Sequence, residues 1–191
     1  SYTPDEIIVT TGVEEAMMCT MLALLNEGDE VIMGDPYYTS YGECVKIAGG
    51  KLVLIPTKEE NSFVLTADEI REHITEKTKL LVIVSPNNPT GTLTPAEELE
   101  KIAQLAIEKD LLVISDEIYE KIIYEDFKHT SLASFPGMKE RTIVFNGFSK
   151  AFSMTGWRIG YLAAPAQLVS LMQDLVNSTT ISVNEFVQEA A

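Results

Sequence analysis

Short apolar runs rich in β-branched residues recur along the chain and alternate with stretches of helical spacing. The runs EIIVT (6–10), EVIM (30–33), KLVLI (51–55), KLLVIV (79–84), LLVIS (111–115), TIVFN (142–146) and GYLAA (160–164) predict strands. Several are continuously apolar, the pattern of strands buried on both faces. Helix starts are readable between them. Thr66 with Glu69, and Thr94 with Glu97, have capping-box spacing, and Pro95 suits a first helical position. Thr11 with Glu14 repeats that spacing ahead of EEAMMCTMLALL, and the closing NEFVQEAA reads as a further helix. Strand and helix in alternation predict an α/β domain with a mostly parallel sheet sandwiched by helices. No internal repeat, low-complexity tract or linker divides it, so residues 1–191 form one domain.

Ligands of open α/β sheets bind beyond the carboxyl ends of the strands. The candidate rim is therefore Thr11-Gly12-Val13, Asp35 to Tyr38, Ser85 to Gly91, Asp116 to Tyr119, and Asn146 to Lys150. Each segment has an ordinary reading by itself. TTGVEEAM is a tight turn opening a helix, DPYY and SPNNPTG are turn chemistry, and Asp116 has the position of a helix N-cap. Lys150 is harder to explain. It stands among Phe148, Phe152, Met154 and Trp157, where an ammonium either snorkels to water or, desolvated, becomes a nucleophile for Schiff-base chemistry.

Composition narrows the function. Hydrophobic residues make up 46% of the 191, enough for one substantial core. Lysine and arginine number 14 against 29 acidic residues, a formal charge of −15 that repels phosphate backbones and argues against nucleic-acid binding. No apolar run reaches membrane-spanning length, and SYTPDEIIVT lacks the basic-then-apolar order of a signal peptide. Cys19 and Cys44 have no disulfide or zinc spacing, and His73 and His129 each stand alone, so no metal is expected and the setting is a reducing cytoplasm. Neither G-x-G-x-x-G nor G-x-x-x-x-G-K-[ST] is present, against a dinucleotide or nucleoside-triphosphate site.

Taken together, the rim residues supply a phosphate anchor, an aromatic plate, an amide donor, a carboxylate, a phenol and a lysine, the set that pyridoxal phosphate requires. SPNNPTG, SDEIYE and FSKAFSMTGWRIGY, in that order and spacing, resemble the large domain of the class I/II aminotransferases, and the likeness runs over essentially the whole chain. It is nearest to bacterial aspartate and aromatic aminotransferases. The resemblance implies pyridoxal 5′-phosphate as cofactor, with Lys150 as the Schiff-base lysine and proton carrier. It implies that Asp116 keeps the pyridine nitrogen protonated. Tyr119 and Asn88 then bond the phenolic oxygen, and Tyr38 stacks on the ring. Gly12, Val13, Glu14, Ser149 and Arg158 hold the phosphate.

The same resemblance implies longer chains that dimerise and share active sites. By it, this sequence is a cofactor-binding large domain without the N-terminal arm and C-terminal small domain, and none of Arg71, Arg141 and Arg158 takes the place of the arginine that clamps the substrate carboxylate. The expected reaction moves an amino group between an α-amino acid and a 2-oxo acid, at low activity here. The expected state is a homodimer or self-associated form. The alternatives are a carbon–sulfur lyase of the same fold and a non-catalytic cofactor-binding or oligomerising module.

Overall fold

The structure is a computed structural model that describes residues 1–191. All seven expected strands are present: β1 (Ile7–Thr10), β2 (Glu30–Asp35), β3 (Lys51–Pro56), β4 (Thr78–Val84), β5 (Leu112–Asp116), β6 (Thr142–Gly147) and β7 (Gly160–Ala163). They form one sheet in the order β1-β7-β6-β5-β4-β2-β3. The run from β3 to β6 is parallel, and β7 is antiparallel to both β6 and β1. The helices are α1 (Val13–Leu24), α2 (Thr39–Ile47), α3 (Ala67–His73), α4 (Ala96–Glu108), α5 (Ala166–Thr179) and α6 (Glu185–Ala190).

The continuous apolar runs are explained by helices on both faces. Along β2 and β4 successive side chains point to opposite sides of the sheet. Val31, Met33, Leu80 and Val82 join Met17, Met21, Val45 and Met172 of α1, α2 and α5 in one core. Ile32, Leu81 and Ile83 join Ile70, Leu99, Ile102 and Leu105 of α3 and α4 in the other. Each fully buried side chain of this size contributes roughly 1.5–3 kcal/mol, so both layers hold the sheet.

Of the three expected helix starts, one stands as read. Thr66 and Glu69 form the reciprocal capping box of α3. At α4, Pro95 itself is the N-cap, without a side-chain bond, and the Thr94 N–H goes instead to Ser85 Oγ at 3.0 Å. At α1 the cap moves one residue along. Gly12 is the N-cap, with φ of 80°, and Glu15 rather than Glu14 reaches back, accepting the Thr11 N–H at 2.6 Å. A left-handed N-cap needs glycine, and the glutamate three positions on shifts with it.

Candidate active site

Strands β1, β2, β4, β5 and β6 end at one rim, and antiparallel β7 begins there. Gly160 pairs with Thr10 on one side and Gly147 on the other. A side chain on Gly160 would press on the start of α1, since its Cβ would lie 3.0 Å from Gly12 Cα and from Val13 N. This close approach brings Arg158, just ahead of β7, beside the α1 N-terminus. Its Nη2 donates to the Thr11 carbonyl at 3.3 Å and its Nη1 to the Thr155 carbonyl at 3.2 Å. Arg158 has φ of 54°, an uncommon conformation for a side chain of its bulk.

The expected site residues come together. A cleft of about 190 Å³ is lined by Val13, Glu14, Tyr38, Asn88, Asp116, Tyr119, Ser149, Lys150 and Arg158. Gly12 completes its wall, with Arg158 Nη2 only 2.6 Å from where a Gly12 Cβ would stand. At the floor lies Asp116, 3% exposed. Its Oδ1 accepts the Ile118 N–H at 3.0 Å and its Oδ2 accepts the Tyr41 hydroxyl. Burial raises this carboxyl to about 6, and the two hydrogen bonds hold it from going higher. No helix follows Asp116, so the N-cap reading fails. Burial also pushes the Tyr41 phenol well up, with the Asp116 charge adding to it, so Tyr41 stays a hydrogen-bond donor. Higher in the cleft, Asn88 Nδ2 donates to the Tyr119 hydroxyl at 3.3 Å, and Tyr38 lies edge-on to Tyr41, ring centroids 5.3 Å apart.

Two expectations need correction. The apolar neighbours do not desolvate Lys150. It is exposed in this chain, its Nζ 5.6 Å from the Tyr119 ring centroid, because the turn after β6 carries Phe152 and Trp157 outward to 62% and 46% exposure. His129 does not stand alone either. The long β5–β6 connection folds back so that His129 Nε2 lies 3.1 Å from Glu117 Oε2, with Glu120 adjoining. Ser115 and Ser131 hydroxyls donate to the other Glu117 oxygen at 2.9 and 2.7 Å. These bonds anchor the segment that carries Tyr119.

Sequence reasoning missed Tyr41 and Thr155, which also line the cleft, and Ser40, whose hydroxyl donates to Glu14. The sequence offers only the placement of Tyr41, one helical turn beyond Tyr38 on the same face, and nothing in it points to Asp116 as its partner.

A phosphorylated pyridine fits this donor set. Asp116 is a buried carboxylate whose partners are a phenol and an amide, with no lysine or arginine bonded to it, and it suits a protonated ring nitrogen. Arg158 and the α1 N-terminus suit an anionic group at the other end, where the first N–H groups of a helix lack intrahelical partners.

An open sheet of this order, with a carboxylate at its floor and a lysine and arginine at its rim, is an α/β domain whose cleft suits a phosphorylated cofactor. The comparisons carry this one step further. The family model for aminotransferase class I and II matches residues 1–191, and the chain belongs to that family. It is 48% identical over 186 residues to an aspartate aminotransferase of Pyrococcus abyssi, covering 97% of this chain and 48% of that protein. It is 44% identical to an aromatic-amino-acid aminotransferase of Thermococcus litoralis, covering 97% and 48%. Among solved structures, an aromatic aminotransferase from Pyrococcus horikoshii superimposes with a TM-score of 0.96 at 44% identity, covering 98% of this chain and 51% of that one. The aspartate aminotransferase of Thermus thermophilus with maleate gives 0.94 at 44% identity, covering 97% and 48%. The chain thus spans about half the length of these relatives. The mostly parallel seven-stranded sheet with flanking helices is the fold of these aminotransferases, and pyridoxal phosphate is the cofactor of the family. No helix is long and apolar enough to cross a membrane.

Proposed function

We propose that this chain is the cofactor-binding large domain of an aminotransferase, moving an amino group between an α-amino acid and a 2-oxo acid. The observation that carries the reading is Asp116, a buried carboxylate at the floor of a cleft whose rim holds a lysine and an arginine. Bound there, pyridoxal phosphate supplies an electron sink that acidifies the α-carbon of an amino acid. The Asp116 carboxylate would keep a proton on the ring nitrogen, and the Tyr41 hydroxyl and Ile118 N–H hold that carboxylate in place. Tyr119 and Asn88, already hydrogen-bonded to each other, would orient the ring, and Tyr38 would supply the aromatic plate. Arg158, Ser149 and the first amides of α1 at Gly12, Val13 and Glu14 bind the anionic end. Glu14 serves through its backbone, because its carboxylate carries the same sign as a phosphate and is taken up by Ser40. Lys150, at the rim, would be the residue that holds the cofactor and the base that moves the substrate's α-proton.

The relatives' names point to aspartate and aromatic amino acids as donors, and a homodimer in the cytoplasm is the working assembly of this reading. An exchange assay tests it. The cofactor-loaded chain is mixed with aspartate or an aromatic amino acid and a 2-oxo acid. New amino acid should form only when both are present. Continued release of pyruvate from a cysteine conjugate without an acceptor, well beyond one equivalent per bound cofactor, would instead mark a carbon–sulfur lyase, and no reaction under any of these conditions would leave a binding module.

A further inference from the structure

Both backbone groups of Thr11, in the turn from β1 to α1, are bonded to charged side chains from α1 and from the β7 approach. Its carbonyl accepts from Arg158 Nη2 at 3.3 Å, and its N–H donates to Glu15 Oε2 at 2.6 Å. The remaining Glu15 oxygen accepts the hydroxyl of Thr180, the C-cap of α5. In an ordinary capping box the glutamate would close on the N-cap N–H. Here the N-cap is Gly12, whose N–H is already bonded to the Thr10 carbonyl at 2.8 Å, and Glu15 reaches one residue further back. Thr10 Oγ1 donates to the Gly12 carbonyl at 2.9 Å and completes the pinning of the turn.

This arrangement fixes a turn that would otherwise be free to flex. Gly12 holds φ of 80°, and glycine has more conformations to lose than any other residue. The turn sets the direction of the first α1 amides and the seat of Arg158. Glu15 lies on neither of the cleft-lining positions of α1, Val13 and Glu14, so it acts through them.

We propose that Glu15 is a positioning residue for the anion end of the site, bracing the Thr11-Gly12 turn against the C-cap of α5. The inference rests on the reading of this helix start as the phosphate end. Loosening the brace then lowers affinity for the phosphate group and leaves the ring's contacts with Asp116, Asn88 and Tyr119 intact.

Dissociation constants for pyridoxal 5′-phosphate, pyridoxal and inorganic phosphate test the proposal on the whole chain, on Glu15→Ala, on Glu15→Gln and on Thr180→Val. Glu15→Ala should weaken pyridoxal 5′-phosphate and inorganic phosphate by roughly tenfold while pyridoxal changes by less than about twofold. Glu15→Gln can still accept the Thr11 N–H and donate to Thr180, so it should stay within about threefold of the parent. Thr180→Val removes only the second bond and should weaken the two phosphate-bearing probes by a few-fold, which keeps the test open if Glu15→Ala does not fold. A parallel loss for all three probes, or an unchanged preference for phosphate in both Glu15→Ala and Thr180→Val, overturns the role of Glu15. A parent chain that binds pyridoxal as tightly as pyridoxal 5′-phosphate overturns instead the reading of this end as the phosphate seat.

Discussion

Replacing Asp116 by asparagine should change how the stability of the cofactor-free chain depends on pH. Burial raises the Asp116 carboxyl from 3.8 to about 6, so between those values the folded state holds a proton that the unfolded state has released. Stability from this group is therefore fully present below about pH 4 and is lost as pH rises through about 6. The rise of about two pH units corresponds to about 3 kcal/mol at roughly 1.4 kcal/mol per unit. Asparagine occupies the same volume and cannot ionise, so the variant lacks this term. Unfolding free energies from urea titrations between pH 3 and 8 give the curve for each protein. The parent-minus-variant difference should fall by about 3 kcal/mol across that window and then level off. Taking the difference removes groups common to both proteins, such as Glu6 and Glu108, which their cationic partners hold down to about 2. A flat difference, or one that rises with pH, would refute the reasoning. The bound cofactor should reverse the preference, because a protonated ring nitrogen favours the ionised carboxylate.

Other substitutions follow from the same cleft. Tyr41→Phe removes the hydrogen bond that favours the charged form of Asp116, so the carboxyl should titrate above about 6, read by carbon NMR of the labelled aspartate; an unchanged or lower midpoint would contradict the assigned partner. Glu14→Gln removes a negative charge from the wall that also holds Arg158, so inorganic phosphate should bind a few-fold tighter by calorimetry. Equal or weaker binding would show that the Glu14 carboxylate lies clear of the anion end.

The strands were legible because burial on both faces writes continuous apolar runs into β2, β4 and β6, and no helical period competes with them. The direction of β7 was not. GYLAA reads the same whichever way it runs, and only its pairing with Thr10 and Gly147 makes it antiparallel. That reversal explains how Arg158 reaches the rim from ahead of a strand rather than after one. The site residues were legible as motif members, whereas their supports were not. Tyr41 meets Asp116 across 75 positions and Thr180 meets Glu15 across 165, distances at which sequence spacing carries no signal. The apolar neighbours of Lys150 in sequence are not its neighbours in space, since Phe152 and Trp157 face outward. What distinguishes Lys150 is its position at the cleft rim.

The most direct measurement is reductive trapping of the cofactor. The whole chain is loaded with pyridoxal 5′-phosphate, treated with borohydride, digested, and the modified peptide is located by mass spectrometry. A single labelled lysine, Lys150, is expected, with Lys150→Ala unlabelled at the same loading. Label on Lys121 or Lys128, both on the β5–β6 connection, or no preference among the lysines, would contradict it.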